Sequence, residues 1–300
     1  MPDKTVLDVE GTQLKLSNLE KIFYPKCGFN KRQMIDYYIR IAPFLLPHME
    51  GRPLTLKRYP HGVDEKFFYQ KECPAKRPGW LPTAPVWSEG NNKYINFCLV
   101  EDLPSLVWAA NLAALELHTS LSQVKDIYVP TMLVFDLDPG WPATIVDCAE
   151  VALWLQDFFI TKNLQSYPKT SGSKGLQVYV PLNTLVNYSQ TKDFAHNLAQ
   201  LLEKKYPGQV VSNMRKSLRQ GKVFIDWSQN NRHKTTVCVY SLRACEKPTV
   251  STPVTWSEVE LALRTKDIST LVFDTDAVLE RVNLLGDLFA PVLTAKQYLP

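Results

Sequence analysis

No apolar run in this chain is long enough to cross a bilayer. The most apolar helical candidate, Leu103 to Leu117, is interrupted by Asn111 and Glu116 and falls short of the roughly 20 residues that a span needs. The opening Met1-Pro2-Asp3-Lys4 lacks the apolar stretch of a signal peptide. The six cysteines (Cys27, Cys73, Cys98, Cys148, Cys238, Cys245) form no C-x-x-C pair, which argues against a zinc knuckle. They read as reduced thiols of a cytoplasmic protein rather than as a disulfide frame. The G-x-x-x-x-G-K-[ST] spacing of a Walker A loop is absent. Low-complexity tracts and internal repeats are missing too. Glycine is scarce, 12 against 21 prolines, so the connections are stiff rather than floppy.

What remains is a 300-residue chain, 45% hydrophobic and 21% charged, enough to bury a substantial core in one domain or two lobes. The net charge of +4 is unevenly spread. Leu201 to Val250 holds ten Lys or Arg against three Asp or Glu, and Gly51 to Trp80 holds seven against three. The last fifty residues run the other way, four against seven. Clustered positive charge suits a phosphate-rich partner. A solvated basic face explains it equally well.

Ser17-Asn18-Leu19-Glu20 reads as a capping box. A helix fits Lys31 to about Leu46, with Met34, Ile35, Tyr38, Ile41 and Leu45 on one face and Pro47 ending it. Another fits Pro104 to about Leu117, and a third Pro142 to about Thr161. Strands are expected at Thr131 to Asp138, Leu176 to Pro181, Lys222 to Trp227 and Thr235 to Tyr240. A helix is expected from about Gln190 to Lys205, and Thr255-Trp256-Ser257-Glu258 is a second capping box. This order is not a steady β-α-β-α alternation, so the class is α+β. The chain reads as one domain over 1–300, with an N-terminal lobe over 1–129 and a catalytic lobe over 130–300.

The sharpest local signal is Phe135-Asp136-Leu137-Asp138. On a strand, residues i and i+2 share a face, so Asp136 and Asp138 stand side by side while Phe135 and Leu137 face the core. Adjacent carboxylates repel unless a cation or proton neutralises them, and a hard divalent metal does so economically. A turn at Asp138-Pro139-Gly140 with a helpful aspartate is the plainer alternative. Val223-Phe224-Ile225-Asp226 also ends an apolar strand on an aspartate. Three carboxylates at two strand ends suit two-metal phosphoryl transfer. Thr170-Ser171-Gly172-Ser173-Lys174-Gly175 joins two of the expected strands; its small residues let backbone N–H groups approach phosphate, and a plain hairpin turn explains it as well.

Together these pieces resemble the polymerase domain of bacterial ligase D-type end-joining proteins, within the archaeo-eukaryotic primase superfamily. The resemblance rests on Asp136-Leu137-Asp138-Pro139-Gly140, Ser171-Gly172-Ser173-Lys174-Gly175-Leu176, Phe224-Ile225-Asp226 and Tyr240-Ser241-Leu242-Arg243-Ala244. Leu16 to Lys21, Lys57 to Pro60, Phe67-Phe68, Glu116-Leu117-His118 and Ser251-Thr252-Pro253 also fit. It implies an archaeo-eukaryotic primase fold, with an RRM-like catalytic sheet and an N-terminal α/β lobe. The implied activity is addition of ribo- or deoxyribonucleotides, from NTP or dNTP substrates, at 3′ ends of gaps and breaks. It assigns Mn2+ or Mg2+ to Asp136, Asp138 and Asp226. The incoming nucleotide goes to Ser171, Lys174, Gln177 and Arg243, with Lys57 and His118 beside it. Asn18, Lys21 and Lys31 take a 5′-phosphate, and Phe67 and Phe68 stack on bases.

One departure stands out: Gln177 occupies the place where the family motif usually has histidine. Glutamine can donate a hydrogen bond but cannot become cationic. The basic residues Arg215, Lys216, Arg219, Arg232 and Lys234 are candidates to supply the missing charge. Nothing matches the K-x-D-G nucleophile motif of ATP-dependent ligases, so sealing is expected from a separate ligase or region. The resemblance implies DNA gaps and double-strand break ends as partners, together with Ku and an ATP-dependent DNA ligase. No membrane partner is expected, and the location is cytoplasmic, on the nucleoid. Two competing readings are a non-catalytic DNA-end-binding module and a dedicated primase.

Overall fold

The computed structural model describes residues 4–300; Met1-Pro2-Asp3, part of the N-terminal reading above, lie outside the described residues. The chain folds into two compact units. One comprises the residues up to Ser120 together with Thr235–Val250 and Asp274–Leu284; the other comprises Leu121–Lys234, Ser251–Phe273 and Leu285–Pro300.

In the first unit, the Lys31–Leu45 helix buries Met34, Ile35, Tyr38, Ile41 and Leu45, the face expected from its periodicity. Its cap is Asn30, whose side chain accepts from Gln33 N at 3.0 Å while Gln33 Oε1 accepts from Asn30 N at 2.9 Å. Ser17-Asn18-Leu19-Glu20 is not a helix cap. Ser17 ends the Thr12–Ser17 strand, paired to Lys4–Val9, and Asn18 turns the chain at φ +54°. Strand pairing has claimed the backbone that a helix would need.

A six-stranded sheet carries the rest of this unit. Thr236–Val237, Ala114–Thr119, Leu54–Arg58, Lys93–Cys98 and Thr83–Ser88 neighbour one another in that order, and Phe68–Gln70 also pairs with Leu54–Arg58. The second helix stops earlier than its sequence suggests. It spans Leu103–Asn111 under an Asp102 cap, and Ala114–Thr119 is a strand. In that strand Leu115 and Leu117 alternate with Glu116 and His118, an alternation too short to stand out directly after the apolar helical run.

Cys73 and Cys98 are joined by a disulfide, with Cα atoms 5.0 Å apart, which overturns the reading of all six cysteines as thiols. The Cys73 N–H donates to Asn96 O at 2.7 Å, bringing the loop beside the strand. Residues 25 apart in sequence meet through the tertiary fold, which spacing motifs do not register. Closing such a loop contributes about 3.5 kcal/mol on a chain-entropy account. Cys27, Cys148, Cys238 and Cys245 are free.

The second unit is built on a five-stranded sheet in the order Tyr167–Thr170, Leu176–Pro181, Met132–Pro139, Val223–Asp226, Val210–Val211. All pairs are antiparallel except the last, which is parallel. The Ile145–Thr161, Tyr188–Lys205 and Trp256–Thr265 helices supply buried residues to its core, including Leu155, Phe159, Leu198 and Val259. Thr144, Asn187 and Thr255 each close a capping box, the last as the sequence indicates. No helix among the described residues is long and apolar enough to cross a membrane.

Candidate active site

Met132–Pro139 is the central strand of the second unit's sheet, with Phe135 and Leu137 fully buried. Alternation then turns Asp136 and Asp138 to the opposite face. Register does what sequence spacing cannot: Asp136 stands directly opposite Asp226 on one neighbouring strand and opposite Gln177 on the other. Gln229 Nε2 donates to both Asp136 Oδ2, at 3.4 Å, and Asp226 Oδ2, at 3.2 Å. Asn230, fully buried, mimics a strand: its amide donates to Val134 O at 2.7 Å and accepts from Val134 N at 2.9 Å. The turn after Asp226 is thereby pinned to the carboxylate strand.

Burial raises the Asp136 carboxyl above its ordinary range, and the charges of Asp138 and Asp226 push it further. A hydrogen bond from Gln177 and the charge of Lys169 work against that rise. Such a crowd of hard oxygen donors fits a divalent cation of the Mn2+ or Mg2+ kind. Among the described residues no three His, Cys, Asp or Glu side chains are already arranged as a ligand set. Asp226 is turned to Ser228 and lies 3.6 Å from Lys234 Nζ, so gathering all three carboxylates takes side-chain rotation on strands already in register.

Beside this row lies the Ser171 to Gly175 turn. Ser171 Oγ accepts from the N–H groups of Ser173 and Gly175 at 3.2 and 3.1 Å, and Lys174 is exposed. A Cβ on Gly175 would meet Leu137 O at 2.2 Å, so only glycine lets the turn approach the carboxylate strand this closely. Gln177, expected at the nucleotide, is 2% exposed and held by Lys169 and Asp136, so it reaches the site through Asp136.

Lys57, His118 and Arg243 belong to the first unit, where they meet on Glu116, a carboxylate buried to 1% exposure that the sequence reading left without a role. Glu116 Oε1 accepts from Lys57 Nζ at 3.0 Å, Tyr59 Oη at 3.2 Å and Ala244 N at 3.1 Å. Oε2 accepts from His118 Nε2 at 2.9 Å and lies 3.5 Å from Arg243 Nε. Burial pushes the Glu116 carboxyl upward, but His118, Arg243 and Lys57 overcome it and hold the group well below the usual carboxylate range. Burial keeps His118 below its ordinary value despite Glu116. An ionised carboxylate only accepts, so His118 presents its Nε2–H to Glu116. The clue in sequence was the i, i+2 pair Glu116 and His118 on one strand face.

Phe67 and Phe68 are 49% and 45% exposed, which excludes a core role. Lys57 Nζ lies 4.5 Å from the Phe67 ring centre, and the Arg58 guanidinium 5.1 Å from that of Phe68. Asn18, Lys21 and Lys31 are gathered at the start of the Lys31–Leu45 helix: Lys21 N donates to Asn18 O, and Lys31 N to Lys21 O. Lys31 is buried, its Nζ donating to Ser17 O and Asn111 Oδ1 at 2.7 Å each. Burial, with Lys21 and Arg58 nearby, lowers it to about 8. Lys21 Nζ is 3.3 Å from His61 Nδ1, a residue that sequence reasoning missed.

Residues 30–289 match the family described as LigD, primase-polymerase domain. The multifunctional non-homologous end joining protein LigD of Mycolicibacterium smegmatis is 39% identical over 282 residues, covering 93% of this chain and 36% of that protein. The bifunctional non-homologous end joining protein LigD of Bacillus subtilis is 30% identical over 275 residues, covering 91% and 43%. This chain thus spans less than half the length of these relatives. The polymerase domain from Mycobacterium tuberculosis ligase D in complex with DNA matches with a TM-score of 0.86 at 37% identity, over 95% of this chain and 99% of that one. The α+β architecture is accordingly that of the archaeo-eukaryotic primases, and the chain belongs to the family of LigD primase-polymerase domains.

Proposed function

We propose that this chain is a metal-dependent nucleotidyltransferase that adds ribo- or deoxyribonucleotides to 3′ ends at gaps and double-strand breaks. One observation carries the reading: Asp136 and Asp226 pair in register across adjacent strands, with Asp138 two residues along. Asp136, Asp138 and Asp226 would hold Mn2+ or Mg2+. Bound there, such ions activate a 3′-hydroxyl and neutralise the leaving pyrophosphate.

The chain's own groups then divide the work. In the second unit Ser171, through its hydroxyl, and Lys174, through its ammonium, meet triphosphate oxygens; in the first unit Lys57 and Arg243, with His118 beside them, are a further set of groups suited to a nucleotide. Glu116 keeps those three side chains oriented, and neutral His118 retains its Nδ1 as an acceptor. Phe67 and Phe68 stack on bases, a contact indifferent to sequence. Asn18, Lys21 and Lys31 take a 5′-phosphate at the start of a helix, where the helix dipole also favours an anion. The partners this reading calls for are broken or gapped DNA, a Ku-type end-binding protein and an ATP-dependent ligase, in the cytoplasm on the nucleoid.

The test is primer extension on a gapped duplex with and without Mn2+. Asp136→Ala and Asp226→Ala should each abolish extension while gapped-DNA binding persists, because the carboxylates serve the transition state. Extension by either variant at near wild-type rate sinks the reading.

A further inference from the structure

Lys169 is 1% exposed, on the Tyr167–Thr170 strand at the edge of the sheet whose centre carries Asp136. A lysine this deep is costly unless its charge and donors are employed. Nζ donates to Gln177 Oε1 and to Ser251 Oγ, both at 2.6 Å, and lies 5.5 Å from the Tyr179 ring centre. Ser251 spends its own hydroxyl proton on Thr170 O at 3.0 Å, so it faces Lys169 as an acceptor.

The register extends this contact into the site. Lys169 stands opposite Gln177, Gln177 opposite Asp136, and Asp136 opposite Asp226. One straight row therefore crosses four strands on a single face. The middle member has two unlike ends, a carbonyl that accepts and an NH2 that donates. Lys169 can only donate, so it takes the carbonyl and leaves the NH2 for the Asp136 carboxylate, to which Gln177 is hydrogen-bonded. The Tyr179 hydroxyl also donates to the Gln177 carbonyl, but at 3.5 Å against 2.6 Å for Lys169 it is the weaker restraint, and without the Lys169 lock the amide could turn over and set its oxygen against the carboxylate.

We propose that Lys169 is a positioning residue for the metal-binding carboxylates: by holding the Gln177 carbonyl it fixes the amide N–H on Asp136. The inference rests on the reading of Asp136 as a metal ligand. Partners that orient metal ligands typically change metal affinity 10–100-fold when removed.

The experiment measures Mn2+ binding to the protein alone, by electron paramagnetic resonance of the free ion, with circular dichroism to confirm folding. Charge and orientation predict opposite outcomes for Lys169→Met. Loss of a cation beside an anionic site would by itself tighten Mn2+ binding, whereas loss of the lock loosens it. We expect roughly 10-fold weaker binding. Gln177→Met should weaken binding equally, and the double variant no further, because the two act in series. Lys169→Gln, neutral but still a donor to the carbonyl, should bind Mn2+ at least as tightly as wild type. Unchanged or tighter binding by folded Lys169→Met overturns the proposal, as do losses that multiply in the double variant. Should Lys169→Met not fold, Lys169→Gln matching the loss of Gln177→Met overturns it equally. A wild-type protein that binds no Mn2+ overturns it together with the functional reading beneath it.

Discussion

Glu116→Gln keeps the shape of a buried side chain and removes the negative charge that Lys57, His118 and Arg243 share. The Glu116 side chain is 2% exposed, against 12% for Lys57 and 18% for Arg243, with N···O separations of 3.0 and 3.5 Å. At an effective dielectric near 20, each such pair attracts by about 5 kcal/mol. Desolvating the carboxylate opposes this by several kcal/mol, and breaking a buried pair typically costs about 3–5 kcal/mol. Because both cations keep some contact with water, we take the lower end, about 3 kcal/mol. At roughly 2–4 °C per kcal/mol that lowers the melting temperature by about 6–12 °C.

The pH dependence gives this prediction its second edge. Glu116 titrates well below its ordinary value in the fold, so its contribution is fully present above about pH 4.3 and is lost as pH falls further. His118 is also held low, so protonation of the unfolded state erodes stability as pH drops through about 6.5. That erosion is steeper in Glu116→Gln, which lacks the carboxylate that partly restores His118. The gap between wild type and variant should widen from about pH 8 to 5.5, then narrow below about pH 4.3. Thermal melts across that range decide it. A variant within about 1 °C of wild type at neutral pH, or a gap flat down to pH ~4, refutes the reasoning.

Lys31, lowered to about 8, is cationic at neutral pH and loses its proton above that value. The preference for a 5′-phosphorylated over an unphosphorylated gap should therefore fade as pH rises past 8, and Lys21→Ala should cost about 1.5–3 kcal/mol of it; a preference constant with pH, or absent from wild type, rejects the assignment. Gly175→Ala puts a Cβ 2.2 Å from Leu137 O, a backbone atom that cannot swing aside. We expect destabilisation of about 1–3 kcal/mol or more, with Leu137 and the flanking carboxylates displaced; a wild-type melting curve would show that the turn relaxes elsewhere.

Local chemistry alone determined a good deal of this protein. Apolar periodicity marked the Lys31–Leu45 helix to within a residue, and Pro181 and the Ser171 turn bounded the Leu176–Pro181 strand. The i, i+2 spacing of Asp136 and Asp138 put them on one face because strand side chains alternate, whatever the partner strands. Ordered motifs along nearly the whole chain carried the family, since a long string of spacings is far more specific than any one of them.

Only the tertiary structure decided which of these pieces meet. Asp226 faces Asp136, and Lys169 completes their row, through strand register, a property of pairing that no single strand encodes. Ser17 to Glu20 spelled a cap but became strand end and turn, because Lys4–Val9 claimed its neighbour's backbone. Ala114–Thr119 looked helical because its short alternation, Leu115 and Leu117 against Glu116 and His118, follows the apolar run of the preceding helix without a clear break. Cys73 met Cys98, and Glu116 gathered Lys57, His118 and Arg243, through contacts spanning up to 128 residues along the chain, as between Glu116 and Ala244 N. Such contacts are set by the closing of loops and the burial of faces, and those are properties of the folded whole.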